Sequence, residues 1–337
     1  MIATRTALPA LRATRTVAAR RFNSTAATPP PPTPEKKASN APFVFGLAGV
    51  AGLAAFAYLN RGAAKAPAKP AVPALEKDTW IPVKVSKIDS YNHNTKVYRL
   101  DFQGEDAKDK VSGITVAGAI VVKTPEGEGQ VLDAKGKPVI RPYTPLSPPD
   151  QRGSLDLLVK EYPTGNISKW FGTLAPGAEV LIKGPILKYE YKPNTFDKGL
   201  FVTGGSGVTP AYQFLTHALN DKSDKTKFTL LFANVNEEDI LLRKEWDALA
   251  AANPDRLKVV YFLDNAPKGW NGETGYVTAD KITQHFPRGE GEKVQAFVCG
   301  PPGQYAAVSG KKDGFKQGEL GGALKDLGYT SEEVFKF

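Results

Sequence analysis

Cysteine is almost missing from this chain, with Cys299 alone among 337 residues. That count excludes a disulfide framework and a multi-cysteine zinc site. Histidine is nearly as scarce: His93, His217 and His285 are too few for a histidine-rich metal centre. Surplus positive charge is missing where a nucleic-acid-binding body would need it. The net charge of +9 arises entirely in residues 1–75, where ten Lys/Arg face one acid, Glu35. Residues 76–337 hold 34 bases and 34 acids. A neutral body removes nucleic acid from the partners to consider.

Acids are also absent before Glu35, while residues 1–22 carry Arg5, Arg12, Arg15, Arg20 and Arg21 among Ala, Thr and Leu. Arg-rich, acid-free, hydroxyl-rich N-termini read as mitochondrial transit peptides. Residues 23–42, with Pro29 to Pro32 and Pro34, form a linker that cannot pack. Phe43–Leu59 then runs 17 residues without a charge. At about 1.5 Å per residue it extends roughly 25 Å, enough for a transmembrane helix. Tyr58, followed by Arg61, Lys65 and Lys69, marks an interfacial edge. Residues 60–76 are a second linker. The expected organisation is one N-terminal membrane anchor at the mitochondrion with a body behind it. The body would be held at the outer membrane or, if the apolar run is cleaved in the inner membrane, released to the intermembrane space. The sequence leaves both open.

The body, long enough for two domains at roughly 150 residues each, changes rhythm once. In 77–195, Ile81, Val83 and Val85 alternate with Pro82, Lys84 and Ser86, the period of a half-buried strand. Further strands are expected at 96–102, 117–123, 139–144, 154–162 and 179–183, with one helical stretch at 168–174. Six short strands predict an antiparallel β-barrel. In 196–337, strands at 200–202, 228–233, 257–263 and 294–298 alternate with helices at 211–219, 237–252 and 278–286. That alternation predicts an α/β, doubly wound parallel sheet, which binds ligands at the carboxyl ends of its strands.

Four short motifs fall at strand ends. Gly204-Gly205-Ser206-Gly207-Val208-Thr209-Pro210 follows a strand and opens a helix, where glycines admit a pyrophosphate to the backbone N–H groups. Thr209 is expected to cap that helix, with Pro210 as its first residue. Pro210 stands where a Rossmann fingerprint has its third glycine, and no Lys-Ser/Thr follows, so this is neither that fingerprint nor a P-loop. By itself the motif also suits a tight structural turn. Arg141-Pro142-Tyr143-Thr144 offers a phosphate-pairing fork, a flat ring and a hydroxyl. Val159-Lys160-Glu161-Tyr162 leads to Gly165-Asn166-Ile167-Ser168, a further source of backbone donors. Cys299-Gly300-Pro301-Pro302 ends the last strand of the alternating half.

In this order the motifs resemble the ferredoxin–NADP reductase superfamily and, within it, the NADH–cytochrome b5 reductase family, over roughly residues 76–337. With the leader and anchor, the whole chain is similar to fungal mitochondrial members. The resemblance implies an FAD-binding barrel domain at 77–195 and an NADH-binding α/β domain at 196–337. It implies that Arg141 binds an FAD phosphate, that Pro142, Tyr143 and Thr144 lie along the flavin, and that Val159, Lys160 and Tyr162 line it. Gly165, Asn166, Ile167 and Ser168 would donate to the pyrophosphate. Gly204, Gly205, Ser206, Gly207, Val208, Thr209 and Pro210 would form the nicotinamide-nucleotide side, with Cys299, Gly300 and Pro301 beside the nicotinamide. Asp264 would lie near the adenosine ribose and favour NADH over NADPH. Thr144, His93 and Cys299 are the expected catalytic group, the first two relaying a proton and Cys299 shaping the pocket; no metal is expected. Two positions depart from the family pattern: Asn166-Ile167 replaces Lys-Met, and Gln304-Tyr305 replaces bulkier apolar residues. The implied reaction passes a hydride from NADH to FAD and single electrons to cytochrome b5 or a similar haem protein. An NADH-dependent quinone or ferric reductase, or a membrane-tethered binding protein without catalysis, would share the same fold.

Overall fold

A computed structural model describes residues 71–337. The expected transit peptide at 1–22, the linker expected at 23–42, the apolar run 43–59 expected as a membrane helix, and residues 60–70 lie outside the described residues. Among those described, no helix is long and apolar enough to cross a membrane.

The alternation at Ile81–Val85 becomes strand β1 (Ile81–Asn92), with Val83 and Val85 buried and Pro82, Lys84 and Ser86 exposed. It is joined by β2 (Thr95–Asp101), β3 (Ala119–Lys123), β4 (Arg141–Tyr143), β5 (Ser154–Lys160) and β6 (Glu179–Ile186). The six strands run antiparallel in the order β4-β3-β6-β1-β2-β5. Val83, Val85, Leu100, Ile120, Leu157 and Ile182 fill the interior, with Phe171 of α1 (Asn166–Gly172) against them. Where sequence suggests a barrel, the structure gives a six-stranded sheet with no ladder between β4 and β5 among the described residues. Strand β4 is three residues long, and its Pro142 has no N–H to offer a further ladder.

The second half contains β7 (Lys198–Gly204), α2 (Val208–Asn220), β8 (Lys227–Asn234), α3 (Arg243–Ala252), β9 (Leu257–Leu263) and β10 (Glu273–Thr274). It continues with α4 (Ala279–His285), β11 (Val294–Cys299), α5 (Pro302–Val308), α6 (Gly322–Asp326) and β12 (Val334–Lys336). All six strands are parallel, in the order β10-β9-β8-β7-β11-β12. Both faces are covered, which is why Leu200-Phe201-Val202 is an unbroken apolar run. Phe201 meets Phe214, Leu215 and Trp246 on the α2 and α3 side. Leu200 and Val202 meet Ile282, Val308 and Leu324 on the side of α4, α5 and α6. Strand order reverses between β7 and β11, so the crevice that binds ligands in such sheets opens there.

The helix expected over 237–252 is divided. A 3₁₀ turn at Glu237–Asp239 is followed by Ile240, Leu241 and Leu242, all buried, and α3 begins only at Arg243. Three consecutive buried side chains cannot share one face of a surface helix. The chain instead turns through Leu242 in the left-handed region, at φ 58°.

The core on the α2 side does not stop at the first half. It includes Ala117, Leu146 and Leu158 together with Phe214, Phe228 and Phe297, and Tyr189 and Tyr191 pack against it. Tyr189 meets Phe297 edge-on at 4.8 Å between ring centroids, and Tyr191 lies 4.4 Å from Phe214.

Candidate active site

Strand β7 delivers the glycine-rich turn to the switch crevice. Gly205 takes the left-handed conformation, φ 52°, and a 3₁₀ turn at Gly205–Gly207 leads into α2. A Cβ on Gly207 would lie 2.4 Å from the Cys299 carbonyl oxygen, and one on Gly204 would lie 2.0 Å from Gln304 Oε1. The glycines therefore serve a close approach between this turn and the segment after β11. Thr209 is not the cap: α2 starts at Val208, and the Thr209 hydroxyl donates to the Ser206 carbonyl at 3.3 Å. The freedom of Gly205 starts the turn early and leaves Thr209 inside the first turn.

Three contacts tie the other motifs to this turn. Tyr162 Oη lies 2.9 Å from Ser206 Oγ. Gln213 Nε2, on α2, donates to the carbonyls of Pro145 and Ser147 at 3.0 and 3.2 Å, fixing the segment that follows Arg141–Thr144. Residue Gly207 seats against Cys299 and Gly300, as above. Arg141 and Pro142 are exposed, and the guanidinium donates to its neighbour's carbonyl, Ile140, at 2.8 Å. Tyr143 packs edge-on to Phe171 at 5.6 Å, and burial pushes its hydroxyl pKa up. Thr144 is buried. Ser168 Oγ donates to the Gly165 carbonyl and accepts from the Tyr162 N–H, both at 3.2 Å. Ile167 turns its side chain into the core, so only its backbone is free to meet a ligand. The N–H groups of Asn166, Ile167 and Ser168 open α1 and lack intrahelical acceptors.

Val159 is buried in the first core. Lys160 is committed elsewhere than a ligand: its ammonium lies 2.8 Å from Asp239 Oδ1, with the two side chains 12% and 6% exposed. Asn94 Nδ2 donates to the same oxygen at 3.3 Å, and the Asn236 N–H donates to Oδ2 at 3.2 Å. Burial pushes the Asp239 carboxyl up, but Lys160, Asn94 and Asn236 together bring it below the ordinary value of 3.8. His93, half exposed, sits 3.6 Å from Asp239 Oδ1 and 2.8 Å from Asn94 Nδ2. Its turn adjoins the end of β5, where the Glu161 N–H donates to the Asn94 carbonyl at 2.8 Å. Sequence reading missed Asp239, although Asn236 and Asp239 form a capping box whose spacing was legible.

Cys299 ends β11 in register with Thr203. Burial pushes its thiol up to about 11, against the opposing influence of the Tyr305 hydroxyl and the Lys312 and Lys188 ammoniums. Tyr305 Oη and Lys312 Nζ both donate to the Phe337 carbonyl, at 2.8 and 2.7 Å. Asp264, exposed just past β9, donates its N–H to the Asn234 carbonyl at 3.1 Å, and burial of the carboxyl raises its pKa. Three residues at this edge carry buried polar atoms without any partner: Thr203 Oγ1, both amide atoms of Asn234, and Gln304 Nε2. Interiors rarely leave such groups unpaired.

The oxidoreductase FAD-binding domain family matches residues 82–191, and the oxidoreductase NAD-binding domain family matches residues 201–309. NADH-cytochrome b5 reductase 2 of Aspergillus terreus is 43% identical over 295 residues, covering 87% of this chain and 88% of its own. The chain belongs to the NADH–cytochrome b5 reductase family. Another member of that name, from Mycosarcoma maydis, is 43% identical over 319 residues, 89% of each chain. Among solved structures, the cytochrome b5 reductase domain of Ulva prolifera nitrate reductase aligns with a TM-score of 0.66 at 26% identity, over 79% of this chain and all of its own. In this reductase-family chain the six-stranded antiparallel sheet is the flavin lobe, and the parallel sheet is the nucleotide lobe.

Proposed function

We propose that this chain oxidises NADH and reduces a cytochrome b5 or similar haem protein through bound FAD. The observation that carries the reading is that the glycine-rich turn and its helix meet the other three motif segments, through Tyr162 to Ser206, Gln213 to the carbonyls of Pro145 and Ser147, and Gly207 to Cys299. When bound, FAD accepts a hydride from NADH and gives up electrons one at a time.

The protein's part is to bind and orient. Arg141, exposed and donating to the Ile140 carbonyl, would pair an FAD phosphate through its fork. Backbone donors of Asn166, Ile167 and Ser168 would meet the pyrophosphate, with Gly165 letting the Ser168 hydroxyl close the turn before them. Pro142, Tyr143 and Thr144 would lie along the flavin ring, with Val159, Lys160 and Tyr162 on its other flank. Lys160 would contribute its backbone, since its ammonium holds Asp239. The turn Gly204 to Thr209, with Pro210 behind it, would receive the dinucleotide, and Cys299, Gly300 and Pro301 would wall the nicotinamide. Thr144 and His93 would hold and move a proton at the flavin edge. A negative charge at Asp264 would accept from a ribose hydroxyl and repel a 2′-phosphate, favouring NADH. The barrel closure expected of 77–195 would be completed by packing rather than by a ladder. The run 43–59 would anchor the body at a mitochondrial membrane, as the basic, acid-free leader before it suggests.

An anaerobic absorption spectrum of the purified chain tests this directly. One equivalent of NADH should bleach a bound-flavin spectrum quickly, NADPH slowly, and added cytochrome b5 should restore it. A colourless protein that ignores added FAD, or a flavin that resists NADH, would overturn the reading.

A further inference from the structure

Between α5 and α6 the chain runs Lys311-Lys312-Asp313-Gly314-Phe315-Lys316, three bases against one acid around an aromatic residue that no core explains. Phe315 is 74% exposed. The turn that carries it is pinned. The Lys316 N–H donates to the Asp313 carbonyl at 2.9 Å, closing the tip. Behind the tip, Gln317 grips the last strand with both ends of its amide: Oε1 accepts from the Lys336 N–H at 2.6 Å, and Nε2 donates to the Lys336 carbonyl at 3.0 Å. Gly318, at φ 65°, lets the chain pass where a Cβ would lie 2.4 Å from the Lys311 carbonyl oxygen.

Cations gather at this ring. Lys188 Nζ, from the segment that joins β6 to β7, lies 6.0 Å from its centroid. Lys312 Nζ donates to the carbonyls of Lys336 and Phe337, at 3.2 and 2.7 Å. Among the described residues no carboxylate forms an ion pair with Lys188, Lys311, Lys312 or Lys316. Burial pushes the ammonium pKa of Lys188 and of Lys312 down, and the charge on Lys188 adds to the push on Lys312. A patch left this positive by its own fold draws a partner of opposite sign.

The patch also adjoins the crevice. The Lys188 and Lys312 ammoniums both act on the Cys299 thiol at the end of β11, and Tyr305 reaches the same Phe337 carbonyl as Lys312. An electron acceptor too large to enter the crevice has to approach over a rim. This rim offers an exposed ring among unpaired charges, the anatomy of an interface with an apolar anchor and a polar border.

We propose that the Phe315 turn is the docking face for the protein acceptor, an acidic haem protein, with Phe315 as its anchor and Lys311 and Lys316 as steering charges. The proposal rests on the reading of the chain as an FAD-dependent reductase of a cytochrome b5, and adds the face on which that partner sits.

The test uses the full chain loaded with FAD. Flavin reduction by NADH is followed by stopped flow, then reoxidation by cytochrome b5 and, separately, by a neutral short-chain quinone. One variant carries Lys311→Glu with Lys316→Glu. A second carries Lys222→Glu with Lys225→Glu, the same change in net charge on exposed residues before β8, at the opposite end of the sheet. A third carries Phe315→Ser. At low salt the first should slow reoxidation by cytochrome b5 about tenfold and flatten its salt dependence. The second should leave that rate near the wild type. Phe315→Ser should slow it about fivefold with the salt dependence unchanged. Bleaching by NADH and reoxidation by the quinone should keep wild-type rates in all three.

Equal slowing by the two charge reversals makes net charge the cause and overturns the proposal, as does undiminished reduction of cytochrome b5. Parallel loss of bleaching and of both acceptors makes the turn a support for the crevice and also overturns it. If the first variant still reduces cytochrome b5 but no longer binds phosphatidylserine vesicles that hold the wild type, the face meets a membrane and the proposal falls. A wild type whose flavin is bleached by NADH yet ignores cytochrome b5 fails the underlying reading instead, before any variant is compared.

Discussion

The two lobes satisfy their interiors differently. In the flavin lobe, buried polar groups find partners within the fold: Arg99 Nε donates to Asp156 at 2.9 Å, Tyr98 Oη to the Phe171 carbonyl at 2.7 Å, and the Val131 N–H to Thr124 Oγ1 at 3.1 Å. Every buried side-chain atom without a partner among the described residues belongs to the nucleotide lobe: Thr203, Gln213, Asn234, Glu245, Trp246, Gln304 and Tyr329. Three of these seven residues, Thr203, Asn234 and Gln304, lie at the carboxyl-end edge of the parallel sheet. In the flavin lobe the side chain proposed to meet a phosphate, Arg141, stands exposed at the surface. One lobe leaves polar atoms unpaired inside, and the other shows its proposed phosphate partner to solvent.

That contrast is limited by the core the lobes share, and the largest effect should come from there. Phe297 is fully buried, 4.6 Å from Phe201, 5.0 Å from Phe214 and 4.8 Å from Tyr189 between ring centroids. Phe297→Ala should cost about 3–5 kcal/mol. Because Tyr189 comes from the flavin lobe, flavin release and loss of secondary structure should occur at one temperature. Two well-separated transitions by flavin fluorescence and circular dichroism would show that the lobes fold independently.

The next effect is expected at the polar join. Lys160→Met leaves Asp239 buried with only amide donors, and should cost about 2–4 kcal/mol at pH 7. The sign with pH follows from the carboxyl. Its pKa is lower folded than unfolded, so it contributes stability above its ordinary value of 3.8 and loses that contribution as pH falls through the lowered folded value. The difference between wild type and variant in urea unfolding should therefore narrow from pH 7 toward pH 3. A difference that stays constant across that range would remove Asp239 from the account.

These two sites also mark what was legible in the sequence. Period-two alternation at Ile81–Val85 and the strand–turn–helix run at Leu200–Leu219 specify local structure, because each residue's neighbours decide its face. The four motifs were likewise readable as strand ends. Asp239 was not, since its partners Lys160 and Asn94 are 79 and 145 residues away. Helical periodicity over 237–252 hid the buried triplet Ile240–Leu242, whose burial depends on Tyr91 accepting the Leu242 N–H at 2.7 Å. Gln304 read as a departure from an apolar wall. The glycines around it, Gly204 and Gly300, show that its side chain packs into space their missing Cβ atoms leave.

Arg141 separates cofactor retention from stability. Its guanidinium is exposed and donates to the carbonyl of its neighbour Ile140, so Arg141→Ala should change unfolding by no more than about 0.5 kcal/mol. A lost hydrogen bond to a charged phosphate, about 1.5–3 kcal/mol, should still weaken FAD binding roughly 10- to 150-fold. Full flavin occupancy after dialysis would argue against the phosphate role and against a flavin site displayed at the surface.

The smallest effect belongs to Cys299, half-buried at the end of β11. With its thiol pushed up to about 11 by burial, Cys299 is protonated at neutral pH and is no nucleophile. Iodoacetamide should modify it slowly at pH 8, at a rate that climbs tenfold per pH unit until it levels near pH 11. NAD+ should slow the modification further, since Cys299 is in register with orphaned Thr203 at the proposed nicotinamide end. Cys299→Ser keeps the shape of the wall and should slow flavin reduction less than about tenfold, equivalent to about 1.4 kcal/mol of barrier. Rapid alkylation at pH 8 would mean that the thiol is not concealed. Complete loss of flavin reduction in the serine variant would mean that it does more than shape the pocket. Either result would make the nucleotide lobe resemble the flavin lobe, with a working group on display, and would dissolve the contrast between them.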